Sequence, residues 1–168
     1  EADGMTSQLS TVQGDAADMP FSSESFTAIS HSDVLCCLED KLTVLQECRR
    51  VINADGRMCF TVIRLADGLK GAAVERAVQA GPEFIRSEAH YHSMLKSAGW
   101  QIIQQDDITG AFCASLERMI TAEAQQSETL KALRGDEANE IAQANWQYKL
   151  QAVADRLILR DFFTVVPA

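Results

Sequence analysis

The side chains able to do chemistry fall into a few short groups along this 168-residue chain. His31, Ser32 and Asp33 stand together, with Cys36 and Cys37 close behind. An imidazole titrates near pH 6.5, so His31 is a candidate general base, or else a packing or ligand-bonding group. Asp33 can orient a cationic amine or begin the next helix. Cys37 has no basic neighbour in sequence to favour its thiolate, so packing is its expected role. His90 and His92 flank Tyr91, but on a helix residues two apart point to different sides and form no chelate. Tyr91 is expected to line a pocket. A third group, Gly14-Asp15-Ala16, places a carboxylate at a turn.

The five cysteines, Cys36, Cys37, Cys48, Cys59 and Cys113, contain no C-x-x-C pair. That argues against zinc and against a disulfide framework. They read as reduced thiols, packed as small apolar groups, and the resulting expectation is a cytoplasmic protein with no metal. The formal net charge is −9, which opposes a phosphate-backbone binder and predicts no nucleic-acid partner. No apolar run approaches the roughly 20 residues needed to span a bilayer, so no membrane association is expected. With 46% hydrophobic residues, one domain with a true core is expected.

Alternating elements must position these groups. Residues 10–13 form a short β-capable stretch ending at Gly14-Asp15, and residues 26–30 read as a strand. From 39 to 52 the period turns helical, with Leu38, Leu42, Leu45, Cys48 and Ile52 on one face and Lys41, Gln46 and Arg50 off it. Asn53-Ala54-Asp55-Gly56 then reads as a turn whose glycine can take positive φ. The apolar run Met58–Ile63 suits a strand covered on both faces, as in parallel sheets. Ser87 is the expected cap of a helix over 88–97 that closes at Gly99, and a strand follows over 100–106. Two longer helices separated by Gly135-Asp136 precede a last alternating strand over 159–166. The fold class is therefore α/β with a mostly parallel sheet. Trp146 and Tyr148 are expected to pack or to roof a site. The acidic 123–140 stretch reads as a solvated helical face.

Three motifs in order carry a resemblance. They are Gly14-Asp15-Ala16-Ala17-Asp18-Met19-Pro20-Phe21, then Ser25-Phe26-Thr27-Ala28-Ile29, then Glu47-Cys48-Arg49-Arg50-Val51-Ile52-Asn53-Ala54-Asp55-Gly56-Arg57. This resembles the middle of the class I S-adenosylmethionine-dependent methyltransferases, with small-molecule, type 11-like members closest. The resemblance implies a Rossmann-like sheet, S-adenosyl-L-methionine as cofactor and a small-molecule substrate methylated by in-line displacement. It implies that Gly14, Asp15, Ala16, His31 and Ser32 contact the cofactor, with Asp15 bonding the adenine amino group unless it serves only as a turn residue. Asp33, Cys37 and Tyr91 fall on the substrate side. The family often has histidine where Cys37 stands, so any mechanism using that group is in doubt.

No closely spaced glycine loop of the G-x-G-x-G kind occurs in the sequence. The expectation is an N-terminally truncated domain, with residues 1–113 the C-terminal part of the core, 114–158 a helical lid and 159–168 a final antiparallel strand. A noncatalytic methyltransferase-like subunit or binding module is the alternative. In that alternative, a homo-oligomer or partner subunit is the candidate for completing the sheet.

Overall fold

A computed structural model describes residues 8–168. Strand β1 (Phe26–Ser32) leads through a 3-10 turn (Leu35–Cys37) into helix α1 (Lys41–Val51), which feeds strand β2 (Ile52–Leu65). Helices α2 (Ala72–Ala80) and α3 (Tyr91–Ser97) precede strand β3 (Trp100–Asp107). Helices α4 (Thr109–Gln125), α5 (Ser127–Arg134) and α6 (Asp136–Ala154) then lead to strand β4 (Ile158–Pro167). The sheet order is β1-β2-β4-β3. β1 and β2 are parallel, while β4 runs antiparallel to both of its neighbours. The expected α/β class and the reversed last strand are both present.

Local chemistry explains α1. The Asp40 carboxylate caps it by accepting the Thr43 amide at 3.0 Å and the Thr43 hydroxyl at 2.6 Å. Arg49 and Arg50 sit in its last turn, where cations suit the helix dipole. Its Val44, Leu45, Cys48 and Val51 are buried in the core beside Phe60, Met58 and Leu95. The Trp100 indole donates to the Leu45 carbonyl at 2.9 Å, locking β3 to this helix. Gly99 adopts φ +79° after α3, as a helix-ending glycine should.

Several expectations are corrected. Residues 10–13 form no strand; they are exposed and pair with no described strand, because a β-capable stretch needs a neighbour to satisfy its backbone. Lys41 is buried rather than off the core face, since its ammonium donates to the carbonyls of Leu38 and Arg86, each at 2.9 Å. Ser87 does not cap α3, which starts at Tyr91 with His90 in the N-cap position. Three helices, not two, fill the stretch before β4, and they start at Thr109 rather than at 114. Helix α2 was not anticipated.

The 53–56 segment is a bulge within β2 rather than a separate turn. Pairing steps from Phe26↔Ile52 to Ala28↔Arg57, so several β2 residues face a short stretch of β1. Gly56 is needed for close approach, not for positive φ: a Cβ there would lie 2.5 Å from Ile52 Cγ1. Gly56→Ala should therefore destabilise the fold by about 1–3 kcal/mol in urea unfolding; an unchanged midpoint would show that the bulge relaxes freely.

Candidate functional site

In an open α/β sheet, ligands bind beyond the carboxyl ends of parallel strands. Here those ends are Ser32 on β1 and Leu65 on β2. The polypeptide beyond Ser32 turns sharply, with Asp33 in the left-handed region at φ 55°, a conformation that aspartate tolerates better than most residues. Its amide donates to the Thr61 carbonyl at 2.9 Å. Its own carbonyl accepts from the thiols of Cys36 at 3.2 Å and Cys37 at 3.5 Å.

A cross-strand polar cluster fixes this tip. Arg160, on β4, donates to Asp33 Oδ1 at 3.1 Å, Ser32 Oγ at 3.0 Å and Thr61 Oγ1 at 3.1 Å, and it forms an ion pair with Asp33 Oδ2 at 2.8 Å. Thr61 donates to Asp33 Oδ1 at 3.0 Å and contacts Ser32 Oγ at 2.9 Å. The guanidinium also lies 5.4 Å from the Phe112 ring centroid on α4. Asp33 is therefore held by protein partners on both oxygens, with its side chain still 26% exposed. Sequence reading missed Arg160 and Thr61. Both lie far from Asp33 along the chain, and no local spacing announces them.

His31 is the unsatisfied member. Its ring stacks on Phe60 at 4.9 Å, and Phe60 stacks in turn on Phe163 at 5.1 Å. Both ring nitrogens are buried without a hydrogen-bond partner. Burial lowers its pKa to about 4, with the nearby Asp33 carboxylate pulling weakly the other way. At neutral pH it is an uncharged imidazole, a poor proton acceptor but a fit partner for a ligand donor or acceptor.

Gly14, Asp15 and Ala16 lie in the turn that precedes β1. Asp15 Oδ1 accepts the Ala17 amide at 2.9 Å, and the Asp18 amide returns to the Asp15 carbonyl at 3.2 Å. The exposed carboxylate thus keeps Oδ2 unengaged among the described residues. Arg50 anchors the following loop by donating to the carbonyls of Phe21 at 2.7 Å and Met19 at 3.0 Å, while Glu47 accepts the Met19 amide at 3.0 Å.

Beyond the β2 end lies a cleft of about 400 Å³ that Arg64, Asp67, Ser87, His90 and Tyr91 help to line. Tyr91 is buried and lines this cleft. Burial pushes its phenol upward; Ser87 pulls the other way, yet the hydroxyl completes no hydrogen bond. His90 and His92 part company: His90 lies 3.4 Å from Asp67, and His92 meets the Phe163 ring edge-on. Cys37 is exposed at the 3-10 turn, and burial pushes its neighbour Cys36 up to about 11. Trp146 bonds Glu123 across α4 and α6 at 3.2 Å, and Tyr148 bonds Gln79 of α2 at 3.1 Å. Glu123 is therefore not part of a purely solvated face, since it also pairs with Arg134 at 2.9 Å.

Comparison with known proteins bears on the fold. Residues 1–60 match the family model described as a methyltransferase domain. No curated protein matches the chain. Among solved structures, a protein assigned as a sarcosine dimethylglycine methyltransferase from Galdieria sulphuraria superposes with TM-score 0.80 at 17% identity, covering 91% of this chain and 57% of its own. Phosphoethanolamine N-methyltransferase 2 of Haemonchus contortus, in complex with S-adenosyl-L-methionine, gives 0.78 at 21% identity, covering 91% and 36%. The [4+2]-cyclase SpnF gives 0.71 at 16% identity, covering 98% and 57%. The chain thus has the Rossmann-like fold of class I S-adenosylmethionine-dependent methyltransferases, and its first 60 residues resemble that family in sequence. It spans 57% of the first of these structures and 36% of the second. No helix among the described residues is long and apolar enough to cross a membrane.

The sign of the His31 shift gives a test. Its folded pKa lies below the unfolded value of 6.5, so the unfolded chain gains a proton first as pH falls. Stability should be full above pH 6.5 and decline toward pH 4, by about 2 kcal/mol at pH 5. His31→Leu should flatten that part of the pH profile in chemical denaturation; an unchanged slope would show that another group titrates.

Proposed function

We propose that this chain serves S-adenosylmethionine-dependent methyl transfer to a small-molecule acceptor, holding part of the cofactor cradle and the acceptor cleft. The observation that carries the reading is the pairing, at adjacent parallel strand ends, of a ligand-ready imidazole on β1 and a cleft beyond β2. When bound, the cofactor supplies an activated methyl group, so the protein must align rather than activate. Asp15 Oδ2 is free to accept the adenine amino group, and Ala16 presents backbone beside it. His31, uncharged, offers one ring donor or acceptor, while Ser32 and Asp33 shape the tip under the hold of Arg160. Cys37 and Tyr91 border the acceptor side.

We read α4 to α6 as a lid. Its support is topological: α4 leaves β3 near Asp107, which registers with Asp161, and β4 re-enters near Ile158, which registers with Leu65. Both ends of the excursion therefore hinge at the sheet edge that carries the candidate site. Tyr148–Gln79 and the Arg76–Asp155 ion pair at 2.8 Å tether the lid to α2.

The outer edge of β1 has no strand partner among the described residues and carries no charged side chain. Such an edge is a template for pairing, which supports a further strand, from a second copy or a partner subunit, as what completes the sheet.

Titration with S-adenosylhomocysteine, followed by amide NMR shifts, tests the cofactor assignment. The expected result is weak, saturable binding with shifts confined to residues 14–18 and 31–33, with affinity falling further in Asp15→Ala. Saturable shifts elsewhere, or an Asp15→Ala titration identical to wild type, would remove these residues from the nucleotide site.

A further inference from the structure

Two polar groups that line the cleft beyond β2 have donors that meet no protein acceptor among the described residues. The first is the Tyr91 hydroxyl, on a side chain only 4% exposed, with no hydrogen-bond partner. The second is the Nη2 end of Arg64. The Arg64 Nε donates to Asp161 Oδ2 at 2.7 Å, and its Nη1 donates to the Leu65 carbonyl at 3.2 Å and Asp67 Oδ2 at 3.3 Å. No protein acceptor among the described residues meets Nη2.

The orientation of this guanidinium is built from below. Asp161 is 1% exposed and accepts both Arg64 and the Gln105 amide, the latter at 2.8 Å. A buried carboxylate needs such pairing, because an uncompensated buried charge is costly. It holds Arg64 by Nε and leaves Nη2 as the remaining donor of the fork. Asp67 takes one flank and draws His90 beside it, so the rim carboxylate is shared rather than free. The Nη2 end of the oriented guanidinium and the phenol hydroxyl can both donate, and neither meets a protein acceptor among the described residues. Oriented guanidinium donors recognise carboxylate and phosphate oxygens in particular.

We infer that the cleft beyond β2 binds an anionic group, a carboxylate or a phosphate, on the Nη2 end of Arg64 and the hydroxyl of Tyr91. This rests on the proposed acceptor cleft and narrows its substrate class to small molecules bearing such a group. Glu88 at the rim and Asp67 keep the cleft from being uniformly basic. The site is therefore selective for a single anionic group rather than for polyanions.

The test needs no cofactor. The chain is titrated separately with inorganic phosphate, acetate and ethanolamine at pH 7, following amide shifts over residues 64–68 and 87–91. Saturable shifts with phosphate, acetate or both are expected, with none for ethanolamine; which anion binds more tightly identifies the group. Tyr91→Phe removes one donor while keeping the ring against Phe163, and should weaken anion binding about fivefold to tenfold. Arg64→Lys keeps the charge but loses the fork, and should weaken it at least as much if the variant folds. Absence of saturable anion shifts, tighter binding of ethanolamine, or a Tyr91→Phe titration equal to wild type would overturn the inference. Failure here alongside S-adenosylhomocysteine binding at β1 would remove the anion anchor alone. Anion binding without S-adenosylhomocysteine binding would keep the anchor and overturn the cofactor reading.

Discussion

One guanidinium from the last strand holds the ligand end of the first. Arg160 reaches across β2 to Asp33, Ser32 and Thr61 and rests against Phe112. Parallel strands end in loops, and a loop carrying a left-handed aspartate has no regular pattern to hold it. Charge-assisted hydrogen bonds supply that hold, each worth about 1.5–3 kcal/mol when well made. The tip of β1, strands β2 and β4, and helix α4 are thereby joined at one point.

That arrangement divides the labour at the carboxyl edge. Polar groups that fix geometry, such as Asp33 and Arg160, are engaged by protein partners. The imidazole of His31 at the tip of β1, and the phenol of Tyr91 and the outer end of Arg64 beyond β2, meet no protein partner among the described residues, as is also true of buried atoms of Asn53, Asn139 and Asp161. A fold does not by itself fix a reaction, and a cyclase sharing this fold illustrates the point. The functional reading accordingly rests on unpaired groups and their positions rather than on the sheet.

Much of the scaffold is legible in the sequence because it is written in local periodicity. The apolar run through Phe60 and Val62 demands a covered strand, and the 3.6-residue stripe of Leu45 and Cys48 demands α1. The motifs from Phe26 to Arg57 read as one unit because their spacing reflects the parallel crossover from β1 through α1 to β2. Other features depend on distant partners and leave no local trace. Lys41 looks like a surface lysine until the Arg86 carbonyl arrives from a distant loop. Asp33 looks like a free carboxylate until β4 brings Arg160. The residues at 10–13 have strand-like composition, but composition cannot supply the neighbour that a strand requires.

The tie between Asp33 and Arg160 can be measured directly by a double-mutant cycle. Asn keeps the left-handed tendency at position 33 while removing the charge, and Arg160→Met removes the donors while keeping bulk against Phe112. Unfolding free energies of wild type, Asp33→Asn, Arg160→Met and the double variant should give a coupling of about 1–3 kcal/mol. A coupling near zero would mean that the tip of β1 stands without Arg160, and the account of a pre-shaped ligand end would fail.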